Sequence, residues 1–149
     1  MLKEGKVVVL GGGSFGTALS NIMAVKRNSV CLWMRNADRA ERTGCCRINS
    51  DYLPNYELSP CLRITADLEE ALEAATTIFF AVPSSAIGAL ACSIADQVTP
   101  GTAIVSTAKG ICGENFDTPS ELLRRQIPHA RVAVISGPNL AKEVASQQI

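Results

Sequence analysis

Histidine occurs once in these 149 residues, aromatic side chains make up only 5%, and the six cysteines contain no Cys-x-x-Cys pair. Zinc sites need thiolate and imidazole ligands at short spacing, and His129 is far along the chain from Cys31, Cys45, Cys46, Cys61, Cys92 and Cys112, so no metal site is expected. The cysteines read as reduced, mostly packed thiols of a reducing compartment, with the vicinal pair Cys45–Cys46 as a redox-active alternative. An excess of charge is missing too. Fourteen Lys and Arg balance fourteen Asp and Glu, so no global field attracts nucleic acid or an anionic membrane. The longest apolar stretches, such as Ile78–Pro83, fall far short of the ~20 residues of a membrane helix. The N-terminus has no apolar signal-peptide core, and internal repeats and low-complexity segments are absent. These absences leave a soluble, cytoplasmic protein without nucleic-acid or membrane partners.

What is present is core-forming material: 47% of the residues are hydrophobic. A compact chain of this length buries roughly 68–70% of its unfolded surface, enough for one domain over residues 1–149. Apolar runs of strand length recur at Lys6–Leu10, Val30–Met34, Ile78–Val82, Ala103–Ser106 and Val132–Ile135, with Leu62–Thr65 as a weaker sixth. Runs without polar alternation fit strands covered on both faces, as in a parallel sheet. Between them lie helix signals. Asp67-Leu-Glu-Glu70 caps a segment continuing through Ala71–Ala75. Thr118-Pro-Ser-Glu121 combines a hydroxyl cap, a proline at the first helical position and a glutamate at the third, and Pro128 ends that helix. Ser84–Ala95 is small and apolar, suited to lie closely on a sheet. The alternation predicts an α/β fold of the Rossmann type: a doubly wound, mainly parallel sheet with helices on both faces. Asn49–Cys61, with Pro54 and Pro60, reads as a long loop of the kind that often carries function.

The first strand runs into Gly11-Gly-Gly13-Ser14-Phe15-Gly16, followed by helix-forming residues and, about 20 residues on, a second strand. In a dinucleotide site Gly11 allows the tight turn, Gly13 lets backbone approach a pyrophosphate, and Gly16 lets helix and strand pack closely. The phosphates then meet unpaired N–H groups at the positive end of the helix dipole. The competing reading is a glycine-rich turn with no ligand. The second strand ends Trp33-Met-Arg35-Asn36, where an acid would grip the ribose 2′-hydroxyl of NAD. A guanidinium there suits a 2′-phosphate, which favours NADP, while Asp38 keeps NAD open. Lys109 in Ser-Thr-Ala-Lys-Gly follows a strand, where ligands of open α/β sheets bind, and Ser136-Gly137-Pro-Asn139 opens another helix that Asn139 can cap. A solvated lysine and a plain strand-to-helix turn are the alternatives.

Together, GGGSFGTALS, LWMRN, RINSDYLPN, TADLEEAL, FFAVPSS, VSTAKGI and SGPNLAKEVA resemble the N-terminal domain of NAD(P)-dependent glycerol-3-phosphate dehydrogenase of the bacterial and plastid type, over most of Lys6 to Ala145. The resemblance implies reduction of dihydroxyacetone phosphate to sn-glycerol 3-phosphate for glycerophospholipid synthesis. It implies cofactor contacts at Ser14, Phe15, Arg35 and Ala141, a shared cofactor and substrate contact at Lys109, and substrate contacts at Gly137 and Asn139. Phe15 replaces the usual tryptophan or tyrosine, Asn139 the usual serine or threonine, and Gly12 a frequent alanine; Ile111-Cys-Gly-Glu114 departs from a shorter acidic continuation. The family's second half, a helical domain with the catalytic lysine, is not in this sequence. Hydride reduction of a ketone needs an acid for the developing oxyanion, and Lys142 matches a connecting-helix position. No catalytic residue is therefore assigned, and little turnover is expected. A stand-alone dinucleotide-binding or sensor module is the alternative, as is a related hydroxy acid as substrate. An exposed face where the second domain would sit is expected to favour marginal stability or self-association as a homo-oligomer.

Overall fold

The computed structural model describes residues 5–26, 29–113, 115–137 and 141–146. Strands β1 (Lys6–Leu10), β2 (Val30–Trp33), β3 (Leu62–Thr65), β4 (Ala75–Phe80), β5 (Ala103–Ser106) and β6 (Arg131–Val134) form one sheet in the order β3-β2-β1-β4-β5-β6. All five pairings are parallel. Among the described residues six α-helices accompany them: α1 (Ser14–Lys26), α2 (Ala37–Cys46), α3 (Leu68–Leu72), α4 (Ser84–Ile94), α5 (Pro119–Gln126) and α6 (Ala141–Ser146).

The pleat divides each apolar run between two cores. Val8, Leu10, Cys31, Ile78, Phe80 and Ile104 face one side, where Ala71 and Leu72 of α3, Ile87, Ala91 and Ile94 of α4, and Leu122 and Leu123 of α5 cover them. Val7, Val9, Val30 and Leu32 face the other, under Ala24 of α1 and Ala40 of α2. Helices on both faces of a parallel sheet explain why the central strands read as unbroken apolar runs. The rule fails at the edge. β6 is largely exposed, with Val134 at 48%, because it has a neighbour on one side only.

The helix caps form as their sequences require. Thr118 Oγ1 accepts from Glu121 N, and Glu121 Oε2 accepts from Thr118 N at 2.8 Å, with Pro119 opening α5. Asp67 Oδ1 accepts from Glu70 N at 3.1 Å at the start of α3. That helix is shorter than the run to Ala75 suggests, and β4 begins at Ala75 instead of Ile78. The cause is distant in sequence. Lys6 Nζ donates to the carbonyls of Glu70 and Glu73 at 2.8 and 3.0 Å, closing the helix with a cation at its negative end. Ala74 then turns the chain at φ 57°, and Ala75 joins the sheet opposite Lys6.

The cysteines need a correction. Cys31 and Cys112 are buried, but Cys45, Cys46, Cys61 and Cys92 are exposed, and all six are free thiols. Burial in the sheet core pushes the Cys31 thiol up from its ordinary value. Among the described residues, no helix is long and apolar enough to cross a membrane.

The 49–61 loop is compact. Asn49 O accepts from Tyr52 N and Leu53 N, an antiparallel bridge joins Ile48 to Glu57, and Leu53 and Leu58 are buried. The Arg47 guanidinium donates to the carbonyls of Ser59 and Leu62.

Candidate functional site

The strand order reverses between β1 and β4, and the carboxyl ends of these strands open a crevice there. Gly11 leaves β1 at φ 121°. A Cβ on it would lie 2.3 Å from Ala81 O, so only glycine turns here without pushing β4 away. A Cβ on Gly16 would lie 1.9 Å from Gly11 O, which brings the first turn of α1 into backbone contact with the strand exit. The space beside Gly12 is filled by Met34, whose Cγ lies 2.6 Å from where a Cβ would stand. Gly13 differs: a Cβ there meets nothing within 4 Å. The turn is sterically closed at Gly11 and Gly16 and open at Gly13.

Thr17 N donates to Gly13 O at 3.0 Å as the first helical bond, so the amides of Ser14, Phe15 and Gly16 head α1 without intrahelical acceptors. That end of a 13-residue helix carries partial positive charge. Above it lies a cleft of about 1020 Å³ lined by Gly11–Gly13, by Trp33–Asn36 with Arg39 and Tyr52, and by Ala81–Pro83 with Ser85, Ala86 and Leu90 of α4. A second hollow of about 150 Å³, at the opposite end of the strands, is lined by Glu69 and Glu73 and offers a carboxylate-rich wall to any anion.

The loop after α2 braces the glycine turn. Asn49 Nδ2 donates to Gly12 O at 3.0 Å and to Thr17 Oγ1 at 2.8 Å, and Ser14 Oγ donates to Tyr52 O at 3.1 Å. Asn49 is fully buried, and of its two bonds to segments 32 or more residues away the one to Thr17 is made away from water and the one to Gly12 is partly shielded. Sequence reasoning marked Asn49–Cys61 as a loop and RINSDYLPN as part of a likeness but gave Asn49, Tyr52 and Arg39 no role. The clue available was a polar, turn-forming Asn-Ser-Asp run set between a half-buried Ile48 and a buried Leu53.

Other candidates fall in different places. Arg35 is exposed and lines the cleft directly after β2. Asp38 is exposed on the first turn of α2 and is not part of the lining. Phe15 is half-buried behind the glycine turn, also outside the lining. Lys109 is exposed beyond β5 and does not line the cleft. Gly137, half-buried, has φ 151° shortly after β6. Ala141 opens α6, which packs on α1 through Ala145 and Ala18 with Leu53 between. Asn139 and its proposed capping role lie outside the described residues.

A parallel sheet in the order 3-2-1-4-5-6, with a glycine turn and a helix N-terminus facing the cleft at its switch point, defines the class of Rossmann-type α/β domains. Within that class, the profile of the NAD-dependent glycerol-3-phosphate dehydrogenase N-terminus matches residues 6–149, and the chain belongs to this family. A glycerol-3-phosphate dehydrogenase [NAD(P)+] of Teredinibacter turnerae is 42% identical over 143 residues, which are 96% of this chain and 42% of the relative. The enzyme of the same name from Pseudomonas fluorescens strain Pf0-1 is 38% identical over 149 residues, all of this chain and 42% of its own length. The crystal structure of glycerol-3-phosphate dehydrogenase from Coxiella burnetii superposes with a TM-score of 0.89 at 33% identity, over 95% of this chain and 43% of that one. The Plasmodium falciparum structure, at 22% identity and a TM-score of 0.83, shares the fold over 94% of this chain and 42% of its own. The chain thus spans about two-fifths of the length of these relatives.

Proposed function

We propose that this chain binds a nicotinamide dinucleotide, NADP in preference to NAD, as the cofactor-binding part of a glycerol-3-phosphate dehydrogenase. The observation that carries the reading is the open flank at Gly13 beneath the free amides of α1, with Arg35 on the rim of the same cleft. The fit can be argued group by group. A pyrophosphate needs backbone donors it can approach closely, and Gly13 leaves that approach clear. A 2′-phosphate needs a cation beyond β2, and Arg35 stands there. The neighbouring acid, Asp38, is outside the lining and so is poorly placed to hold a 2′-hydroxyl. The mostly small side chains that α4 presents, Ser85, Ala86, Ala89 and Ser93, leave room for the rest of the nucleotide.

When bound, the cofactor supplies the hydride that reduces the carbonyl of dihydroxyacetone phosphate to sn-glycerol 3-phosphate. The chain's part is to hold and orient. Ser14, Phe15 and Ala141 are assigned to the cofactor by likeness, Lys109 to both ligands, and Gly137 and Asn139 to the substrate. No residue here is assigned as the acid that protonates the carbonyl oxygen, so these 149 residues are proposed to bind nucleotide with little turnover. The cytoplasm is the proposed compartment, because four exposed free thiols suit a reducing environment. The exposed apolar residues Val134 and Ile135 at the β6 edge support self-association.

The test is a titration with NADPH and NADH, followed by nicotinamide fluorescence, with and without dihydroxyacetone phosphate. Saturable binding with NADPH tighter is expected. Arg35→Ala should weaken NADPH at least about tenfold, the loss of one charge-assisted phosphate contact, and leave NADH within about twofold. Absence of binding by either nucleotide would overturn the reading.

A further inference from the structure

Arg35 does not stand alone at the rim of the cleft. One turn into α2, Arg39 lines the same cleft. Its backbone N–H donates to Asn36 Oδ1 at 2.8 Å, its Nε donates to Asp51 Oδ2 at 2.7 Å, and its guanidinium carbon lies 5.1 Å from the centre of the Tyr52 ring. Arg42 Nη2 donates to the same Asp51 oxygen at 3.0 Å. Two guanidiniums, those of Arg39 and Arg42, therefore share one carboxylate oxygen while Arg35 lines the same cleft as Arg39, and the remaining acid of this corner, Asp38, is not part of the lining. Asp51 takes only the Nε of Arg39. Among the described residues its two terminal nitrogens have no acceptor, although the side chain is aimed by two contacts and is only 34% exposed. A long side chain already held in one geometry loses little rotamer freedom when it binds an anion, and its paired terminal N–H groups match phosphate oxygens.

We infer that Arg39 is a second 2′-phosphate contact, pre-aimed by Asp51 and Tyr52, and that the charge of Asp51 sets how strongly the cleft separates NADP from NAD. Asp51 has two effects of opposite sign. Its oxygen orients Arg39, and its negative charge opposes an incoming dianion at the same guanidinium. Asparagine in its place keeps an oxygen acceptor for Nε and removes the charge. Alanine removes both. This assignment rests on the nucleotide reading above, and it goes further by naming which residues decide between the two cofactors.

The full 149-residue chain and its variants would be titrated with 2′,5′-ADP and 5′-AMP, which differ only in the 2′-phosphate, and with NADPH and NADH. Arg39→Ala should weaken 2′,5′-ADP and NADPH about tenfold and leave 5′-AMP and NADH within about twofold. Arg39→Lys, which keeps the charge but loses the planar fork, should fall between. Asp51→Asn should tighten 2′,5′-ADP and NADPH about threefold or more with 5′-AMP unchanged, and the gain should shrink as salt is raised. Equal losses of both nucleotides in Arg39→Ala and Arg39→Lys, or an unchanged NADPH to NADH ratio in Arg39→Ala and Asp51→Asn, would overturn this assignment and leave nucleotide binding itself standing. Wild-type chain that binds neither NADPH nor NADH would overturn both.

Discussion

Three glycines within six residues have three separate physical duties, and substitution separates them. Gly16→Ala drives a Cβ into the Gly11 carbonyl, which belongs to backbone and cannot swing aside. A loss of about 2–3 kcal/mol is expected, as for overpacking elsewhere, measurable by urea unfolding. Gly13→Ala meets open space, so its stability should stay within about 0.5 kcal/mol of the parent. Its affinity for NADPH and NADH alike should nevertheless drop at least about tenfold in the fluorescence titration, because the methyl occupies the phosphate approach. A Gly13→Ala protein that unfolds early, or one that binds normally, would contradict this division. Ala74 supplies the reverse case. Held exposed at φ 57°, it carries a left-handed strain of roughly 1–2 kcal/mol. Glycine returns about 0.4–1 kcal/mol of that in unfolded-chain entropy, so Ala74→Gly should stabilise the chain by about 0.5–1 kcal/mol in the same unfolding assay.

Among the elements, α5 shows a local sequence writing its own structure. Hydrogen bonds from the Thr118 backbone N–H and then its hydroxyl hold the Glu121 carboxyl below its ordinary value, and hydrogen bonds from Arg125 do the same for Asp117. A carboxyl whose folded pKa is depressed stabilises the fold above its unfolded pKa, and that stabilisation is lost as pH falls through the folded value. Acidification below 4.5, the ordinary glutamate value, should therefore loosen the cap of α5. Thermal melts of Glu121→Gln should show a lower melting temperature near neutrality and a shallower fall on acidification than the parent; parallel curves would refute the cap's contribution. By contrast, α3 is cut short by Lys6, 64 residues from the carbonyl it caps, and no local signal announces that. The 49–61 loop behaves similarly. Its prolines and Asn-Ser-Asp run mark a loop, but the two donations from Asn49 that brace the glycine turn depend on folding the loop over α1.

For the whole molecule, nucleotide binding and folding should be linked, because the cleft draws its walls from the glycine turn, β2, α2, the 49–61 loop and α4. A ligand at a hundred times its Kd adds about 2.7 kcal/mol to stability, which in a chain of this size raises Tm by roughly 5–10 °C. Differential scanning fluorimetry should show NADPH giving the larger shift at equal concentration, NADH a smaller one, and Gly13→Val neither. Equal shifts in parent and Gly13→Val would place the nucleotide elsewhere.

The sequence by itself determined the strand set, the parallel class of the sheet, the α5 cap and the glycine turn, since each is a matter of short-range periodicity, propensity or backbone freedom. Only the tertiary structure decided where α3 stops, that β6 lies at an exposed edge, that Lys109 stands clear of the cleft while Arg39 and Tyr52 enter it, and that Asn49 holds the turn in place. Those outcomes rest on contacts between residues far apart in the chain, whose geometry exists only after the helices have packed on the sheet.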